Sequence, residues 1–263
     1  MKKIIYILLF ILLPSFISAQ ESNLQHDSAV TLGEYTKAMG DSAYSNGNYE
    51  KAIGIYEAII KSNGGSLQLH YNLGNAYFRN NMIGKSILNY ERALRFDPTD
   101  NDTKANLEFV QSRMKDELTE QYEIFFVTWF KAIMNMLNLT TWSIIGIVAF
   151  IMFLLSVLVV LFGKNNSIRK ISVGIASVSL FVTIFANISG YSLHCIVQDR
   201  NNAIIMKEEA SLKSTPNNSG IVLIKVHEGR KVRITDDTMT DWKEVALEDG
   251  MIGWVPSSVL ERI

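Results

Sequence analysis

Cysteine is almost missing from this chain: Cys195 is the single one in 263 residues. No intramolecular disulfide can form, whatever the compartment, and no CxxC pair exists. Four histidines are spread along the sequence without a His/Cys cluster, so neither a metal site nor a cofactor is expected. An excess of one charge is missing too. The net charge is −1; residues 21–121 carry ten basic and fourteen acidic side chains, and residues 199–263 carry nine and eleven. With no basic patch interleaved with aromatics, nucleic acid is not an expected partner. A catalytic triad, a metal set and a phosphate loop are all absent, so the chain is not expected to be an enzyme. His194 and Cys195 are adjacent, but neighbours on a helix point about 100° apart. With no third group to orient them, Cys195 reads as a small apolar filler.

Two stretches lack charge altogether, residues 141–163 and 171–193. Each is long enough to cross a hydrocarbon core of about 30 Å. Seven residues, 164–170, separate them, too few for a domain, so the expectation is a transmembrane helical hairpin. Lys164, Arg169 and Lys170 lie in that link without an acid, which places it on the cytoplasmic side. Everything before and after the hairpin then lies outside.

The amino terminus agrees. Lys2 and Lys3 precede the apolar run 4–13, Pro14 breaks it, and small residues lead to a cut after Ala19. Residues 1–19 have the form of a secretory signal peptide; uncleaved, the same segment is an anchor.

Between leader and hairpin the sequence repeats itself at 34 residues. Asn46-Gly47-Asn48 aligns with Asn80-Asn81-Met82, Gly40 with Gly74, Ala52 with Ser86, and Tyr56 with Tyr90. Leu73-Gly74, Tyr77, Ser86, Tyr90, Ala93 and Pro98 resemble the tetratricopeptide repeat, a helix–turn–helix unit of that period. The resemblance implies an all-α domain over 28–121, with repeats at about 33–64 and 67–98 and a capping helix at 102–115. In that family the first helix of each unit lines a concave peptide-binding face. Carried over by position, the face is Lys37, Asp41, Tyr44, Tyr71, Asn75, Phe78 and Arg79. Lys37, Asn75 and Arg79 would hold a peptide backbone or carboxylate; the plain alternative is a solvated face with two chance cations.

Residues 122–140 are aromatic-rich, with Phe125, Phe126, Trp129 and Phe130 beside the single cation Lys131. This reads as an interfacial helix at headgroup depth, or as a third helix buried under the repeats.

After the hairpin the texture changes to short alternating strands separated by turns: 203–206, 210–213, 222–226, 231–235, 242–246, 251–256 and 259–263. The run 210–216, Glu228-Gly229, Asp241-Trp242 and Gly253-Trp254-Val255 resemble the bacterial SH3-like (SH3b) domain. The resemblance implies an all-β barrel over 203–263, with Trp242 and Trp254 in its core and groove. Such domains bind cell-wall peptides or partner proteins.

The whole order is leader, repeats, two-span hairpin, SH3-like barrel. It is similar to the BatE proteins of the Bacteroides aerotolerance operon. That resemblance implies a non-enzymatic envelope scaffold at the inner membrane, with both soluble parts periplasmic. Implied partners are membrane proteins with von Willebrand A domains and, indirectly, a MoxR-type AAA+ ATPase. The implied physiology is aerotolerance and oxidative or envelope stress. The alternative is a tether that binds peptidoglycan through the SH3-like barrel.

Overall fold

The computed structural model describes residues 35–116 and 125–263. The expected signal peptide, 1–19, lies outside the described residues. The chain divides into two compact units. One is residues 126–196; the other joins the described part of 29–125 to 197–263.

The second unit begins with five helices: α1 Lys37–Ser45, α2 Tyr49–Asn63, α3 Leu67–Arg79, α4 Ile83–Phe96 and α5 Asn101–Gln111. The 34-residue period sets their boundaries. Gly47 and Asn81, 34 apart, both hold positive φ (76° and 60°) in the turns after α1 and α3, where glycine and asparagine meet little penalty. The side chains of Asn48, Ser66 and Asp100 accept from the backbone N–H groups of Lys51, Leu69 and Thr103, capping α2, α3 and α5, as short polar residues do at helix starts. Gly64 (φ 85°) ends α2, whereas α4 stops at Phe96 two residues before Pro98, which disfavours helix at the residue before it.

Two glycines let each helix pair close. A Cβ on Gly40 would come within 2.5 Å of the Tyr56 ring, and one on Gly74 within 2.8 Å of the Tyr90 ring. Both tyrosines are fully buried. Ala43, Ala52, Ile55, Tyr56, Leu73, Ala76 and Tyr77 form the first core.

The carboxy-terminal strands are β1 Asn202–Ile205, β2 Glu209–Lys213, β3 Val222–His227, β4 Lys231–Asp236, β5 Trp242–Ala246, β6 Ile252–Pro256 and β7 Leu260–Arg262. They pair antiparallel in the order β3-β2-β6-β5-β4-β1-β7. The sheet is not closed: β3 and β7 are its two edges. Its core is aliphatic, from Ala203, Ile205, Leu212, Val226, Val232, Val245 and Val255. Trp242 and Trp254, expected in a core, are half-buried. Both stand opposite in strand parity to buried Val245 and Val255, so the pleat turns them to the other face.

The sheet and the repeats share a joint. Ile204 and Ile263 enter one apolar cluster with Ile87, Leu88 and Tyr90 of α4 and Leu107 and Val110 of α5. Polar bonds ring it. Lys231 reaches the buried carboxylate of Glu91 at 2.7 Å. The amide of Gly84 donates to Glu228 at 2.9 Å. Arg92 and Arg95 donate to the carbonyls of Arg262 and Ile263 at 2.7 and 2.8 Å. Asp116 accepts the backbone N–H of His227 at 2.9 Å and faces its Nδ1 at 2.5 Å. Each apolar side chain buried in such a cluster stabilises by roughly 1.5–3 kcal/mol.

The first unit holds α6 Phe125–Met134, α7 Leu139–Phe162 and α8 Asn166–Gln198. The expected link 164–170 is shorter than the charge pattern suggests. Residues 166–170 already belong to α8, whose amphipathic start is helical despite its charges. α7 and α8 are long and apolar enough to cross a membrane. They meet along small side chains, with Gly146, Ala149 and Ser156 buried on α7 and Ser172, Ser179, Thr183, Ala186 and Ser189 buried on α8. Their large apolar residues, such as Leu155, Phe162, Val178 and Phe181, point outward. Small residues at the seam and large ones outside is how helices pack in lipid.

Gly74→Leu should lower stability by about 1–3 kcal/mol through overpacking against Tyr90. Gly54→Ala, an exposed helical glycine with open space around its Cα, should raise it by about 0.5–1 kcal/mol. Urea unfolding of the full chain in detergent checks the pair; equal effects would contradict the close helix approach.

Candidate functional site

The candidate face is built from the first helix of each unit, α1, α3 and α5. The structure reveals a recurring hydrogen-bonded clasp that holds these helices side by side. In the first copy, the Tyr56 hydroxyl of α2 donates to Asp41 of α1 at 2.6 Å, and Asn72 of α3 donates to the same oxygen at 3.0 Å. Thirty-four residues on, Tyr90 of α4 donates to Asn75 of α3 at 2.6 Å, and Asn106 of α5 donates to that oxygen at 3.0 Å. Each clasp ties a repeat to its own second helix and to the next repeat. The final helix is therefore in phase with the repeats through Asn106 as well as Leu107.

This accounting places the expected binding residues. Lys37 is exposed and paired with Asp41 at 2.7 Å. Asp41 and Asn75 are the clasp acceptors. Tyr71 accepts from Asn106 at 3.0 Å and tilts against the Tyr90 ring. Phe78 packs edge-on to Phe109 of α5, and Tyr44 edge-on to Tyr49. Arg79 lies over the Tyr49 ring, 4.9 Å from its centroid. The three residues expected to hold a carboxylate are thus not assembled as one clamp. Lys37 has its own acid, the Asn75 carbonyl is occupied, and Arg79 is turned toward α2.

One feature of this face was not singled out from the sequence. Arg113 follows Arg79 by 34 residues, and its guanidinium sits 5.0 Å over Phe109. Arg79 and Arg113 are both exposed. Two guanidinium groups, each stacked on an aromatic ring, therefore recur at the ends of successive first helices. Stacking leaves the in-plane N–H donors of arginine free in direction to meet a carboxylate. The 34-residue spacing was the available signal.

Protonation follows the same geometry. Burial works against ionisation of Asp41, yet hydrogen bonds from Lys37, Tyr56 and Asn72 leave its carboxyl below the ordinary value. Burial pushes the hydroxyls of Tyr56, Tyr77 and Tyr90 well above the usual tyrosine range; carboxylate acceptors, Asp41 and Glu57, add to this for the first two. None of them is suited to give up a proton near neutrality.

His70 is buried between the repeats. Its Nδ1 lies 3.0 Å from the Asn89 carbonyl oxygen, and the Asn89 amide donates to the Lys85 carbonyl. That bond fixes which end of Asn89 accepts, so Nδ1–H is the donor and Nε2 is bare. Burial holds the His70 pKa below 6.5.

On the sheet, Lys213 pairs with Trp254, Trp254 pairs with Glu244, and Trp242 pairs with Pro256. These residues share the face opposite the aliphatic core. The Lys213 ammonium stands 5.6 Å from the Trp242 ring centroid. The arrangement is an aromatic and cationic outer patch.

Residues 37–101 match the tetratricopeptide repeat family. The match spans α1 to α4 and the start of α5, the helices joined by the clasps. Tetratricopeptide repeats are protein–protein interaction scaffolds, and the chain carries them beside two helices long enough to cross a membrane. No curated protein matches the chain.

The neutral His70 gives the domain an acid sensitivity of definite sign. A depressed folded-state pKa means full stability above the unfolded value of 6.5, lost as pH falls through the folded value. The urea midpoint of the full chain should drop below that pH, and His70→Gln should flatten the dependence; an unchanged profile would contradict the buried neutral imidazole.

Proposed function

We propose that the protein is a non-catalytic adaptor of the cell envelope, anchored by a two-span hairpin. The observation that supports this most directly is the joint between repeats and sheet. A unit assembled from segments on either side of two consecutive spans requires both segments on one side of the bilayer. The hairpin then crosses and returns. Lys164, Arg169 and Lys170 at its turn favour a cytoplasmic turn and a periplasmic unit, at the inner membrane.

On this reading the repeats capture a protein partner. Arg79 and Arg113 favour an acidic segment, since guanidinium and carboxylate meet in paired hydrogen bonds. The order of parts supports a BatE-like role in aerotolerance and oxidative or envelope stress. Its partners would be membrane proteins with von Willebrand A domains, with a MoxR-type ATPase reached through them. The sheet is read as an SH3-like module. Its aromatic outer patch of Trp242, Trp254 and Lys213 favours a second reading, a tether that binds cell-wall peptide.

A reporter active only in the cytoplasm should be silent when fused after Ile263 and active when placed within 164–170. The reverse pattern sinks the topology. Purification from detergent-solubilised membranes should recover a von Willebrand A domain protein. Arg79→Ala with Arg113→Ala should weaken that capture by roughly 1.5–3 kcal/mol per charged hydrogen bond lost. Retention on purified wall sacculi, abolished by Trp242→Ala and without a membrane partner, would favour the tether instead.

A further inference from the structure

Helix α6 has three chemically different sides. At about 100° per residue, Phe130, Ile133 and Met134 fall together, Phe125 and Trp129 fall on a second side, and Thr128 and Lys131 fall on a third. The first side is occupied. The Phe130 ring meets Phe185 of α8 edge-on at 5.7 Å, and Phe185 meets Trp142 of α7 at the same distance. Met134 and Trp142 are buried in that cluster. The Trp142 indole donates to the Met134 carbonyl at 3.0 Å, satisfying a backbone group at the end of α6. Asn138 then caps α7 by accepting from Thr141. The helix is thus fixed to one end of the α7–α8 pair, at the end away from the basic turn.

The second side is bare within the protein. Phe125 is 74% exposed and Trp129 is 58% exposed, and Met136, just past the helix, is 76% exposed. Large aromatics fully in water at the end of two apolar helices are unfavourable. An aromatic side beside a polar side, at the level where membrane-spanning helices emerge, matches the chemistry of the bilayer interface.

We propose that the occupant of this side is the lipid surface. α6 lies in the plane of the outer leaflet, with Phe125 and Trp129 among the headgroup–acyl boundary and Thr128 and Lys131 toward water. It forms a collar that sets the depth of the hairpin. A peptide or a second copy of the chain has less to recommend it, because the aromatic side is continuous with the lipid-facing exterior of α7 and α8. The inference rests on the reading of α7 and α8 as spans.

The test uses the full chain with Cys195→Ser, reconstituted in vesicles of phosphatidylcholine and phosphatidylglycerol. Nitroxide labels are placed one at a time at Trp129→Cys, Thr128→Cys and, inside α7, Leu155→Cys. Relaxation by oxygen, which concentrates in lipid, is compared with relaxation by a water-soluble nickel chelate. The expected ratio favours oxygen at 129 and 155 and the chelate at 128. Chelate access at 129 with oxygen access at 155 would overturn the collar and leave the spans standing. Chelate access at 155 would overturn the spans and the collar together. Oxygen access at both 128 and 129 would place the helix inside the hydrocarbon and also overturn the orientation proposed.

Discussion

The burial of Ile204 and Ile263 against α4 and α5 is the contact on which the second unit depends. Two tetratricopeptide repeats and one further helix leave an apolar end at Ile87, Leu88 and Val110. A repeat array of this length is short for independent stability. Here the exposed end is closed by strands from the far end of the sequence. The sheet gains equally, because β1 and β7 would otherwise present Ile204 and Ile263 to water. The ring of Lys231–Glu91, Gly84–Glu228 and His227–Asp116 contacts fixes the register that the apolar cluster alone would leave loose.

Much of this was legible in the sequence because local signals were strong. The period of 34 residues gave helix order, the turns at Gly47 and Asn81, and the tyrosines that fill the spaces beside Gly40 and Gly74. The alternation after residue 202 gave seven strands at nearly their observed positions. The two uncharged runs gave α7 and α8, although the start of α8 was taken for a loop because lysine and arginine there masked a helical continuation. Long-range pairings were harder to read. Nothing in the local pattern tells Glu91 that its partner is Lys231, 140 residues away, so a residue that looks like surface is buried.

The binding face shows the same limit. Position within the repeat identified Asp41, Asn75, Tyr71 and Phe78 correctly as facing the neighbouring first helix. Position does not say whether that neighbour or a ligand takes the hydrogen bonds. The polar groups of Asp41 and Asn75 are used to align α1, α3 and α5. What remains outward is the pair Arg79 and Arg113. The tryptophans of the sheet were misassigned to a core for a related reason: aromatic residues at turn-flanked strands satisfy a core pattern and a surface patch equally well.

The joint also has a kinetic side. Glu228 lies 144 residues from Gly84, and Ile263 lies 168 residues from Arg95. Contacts so distant in sequence form slowly, because the intervening chain must first be brought to closure. The chain has no cysteine pair to shorten that path. Packing of α7 on α8 removes most of the intervening length from the search, leaving the two ends of the hairpin to present the repeats and the strands to one another. In a protein with a single thiol, the helix pair does the entropic work of a cross-link.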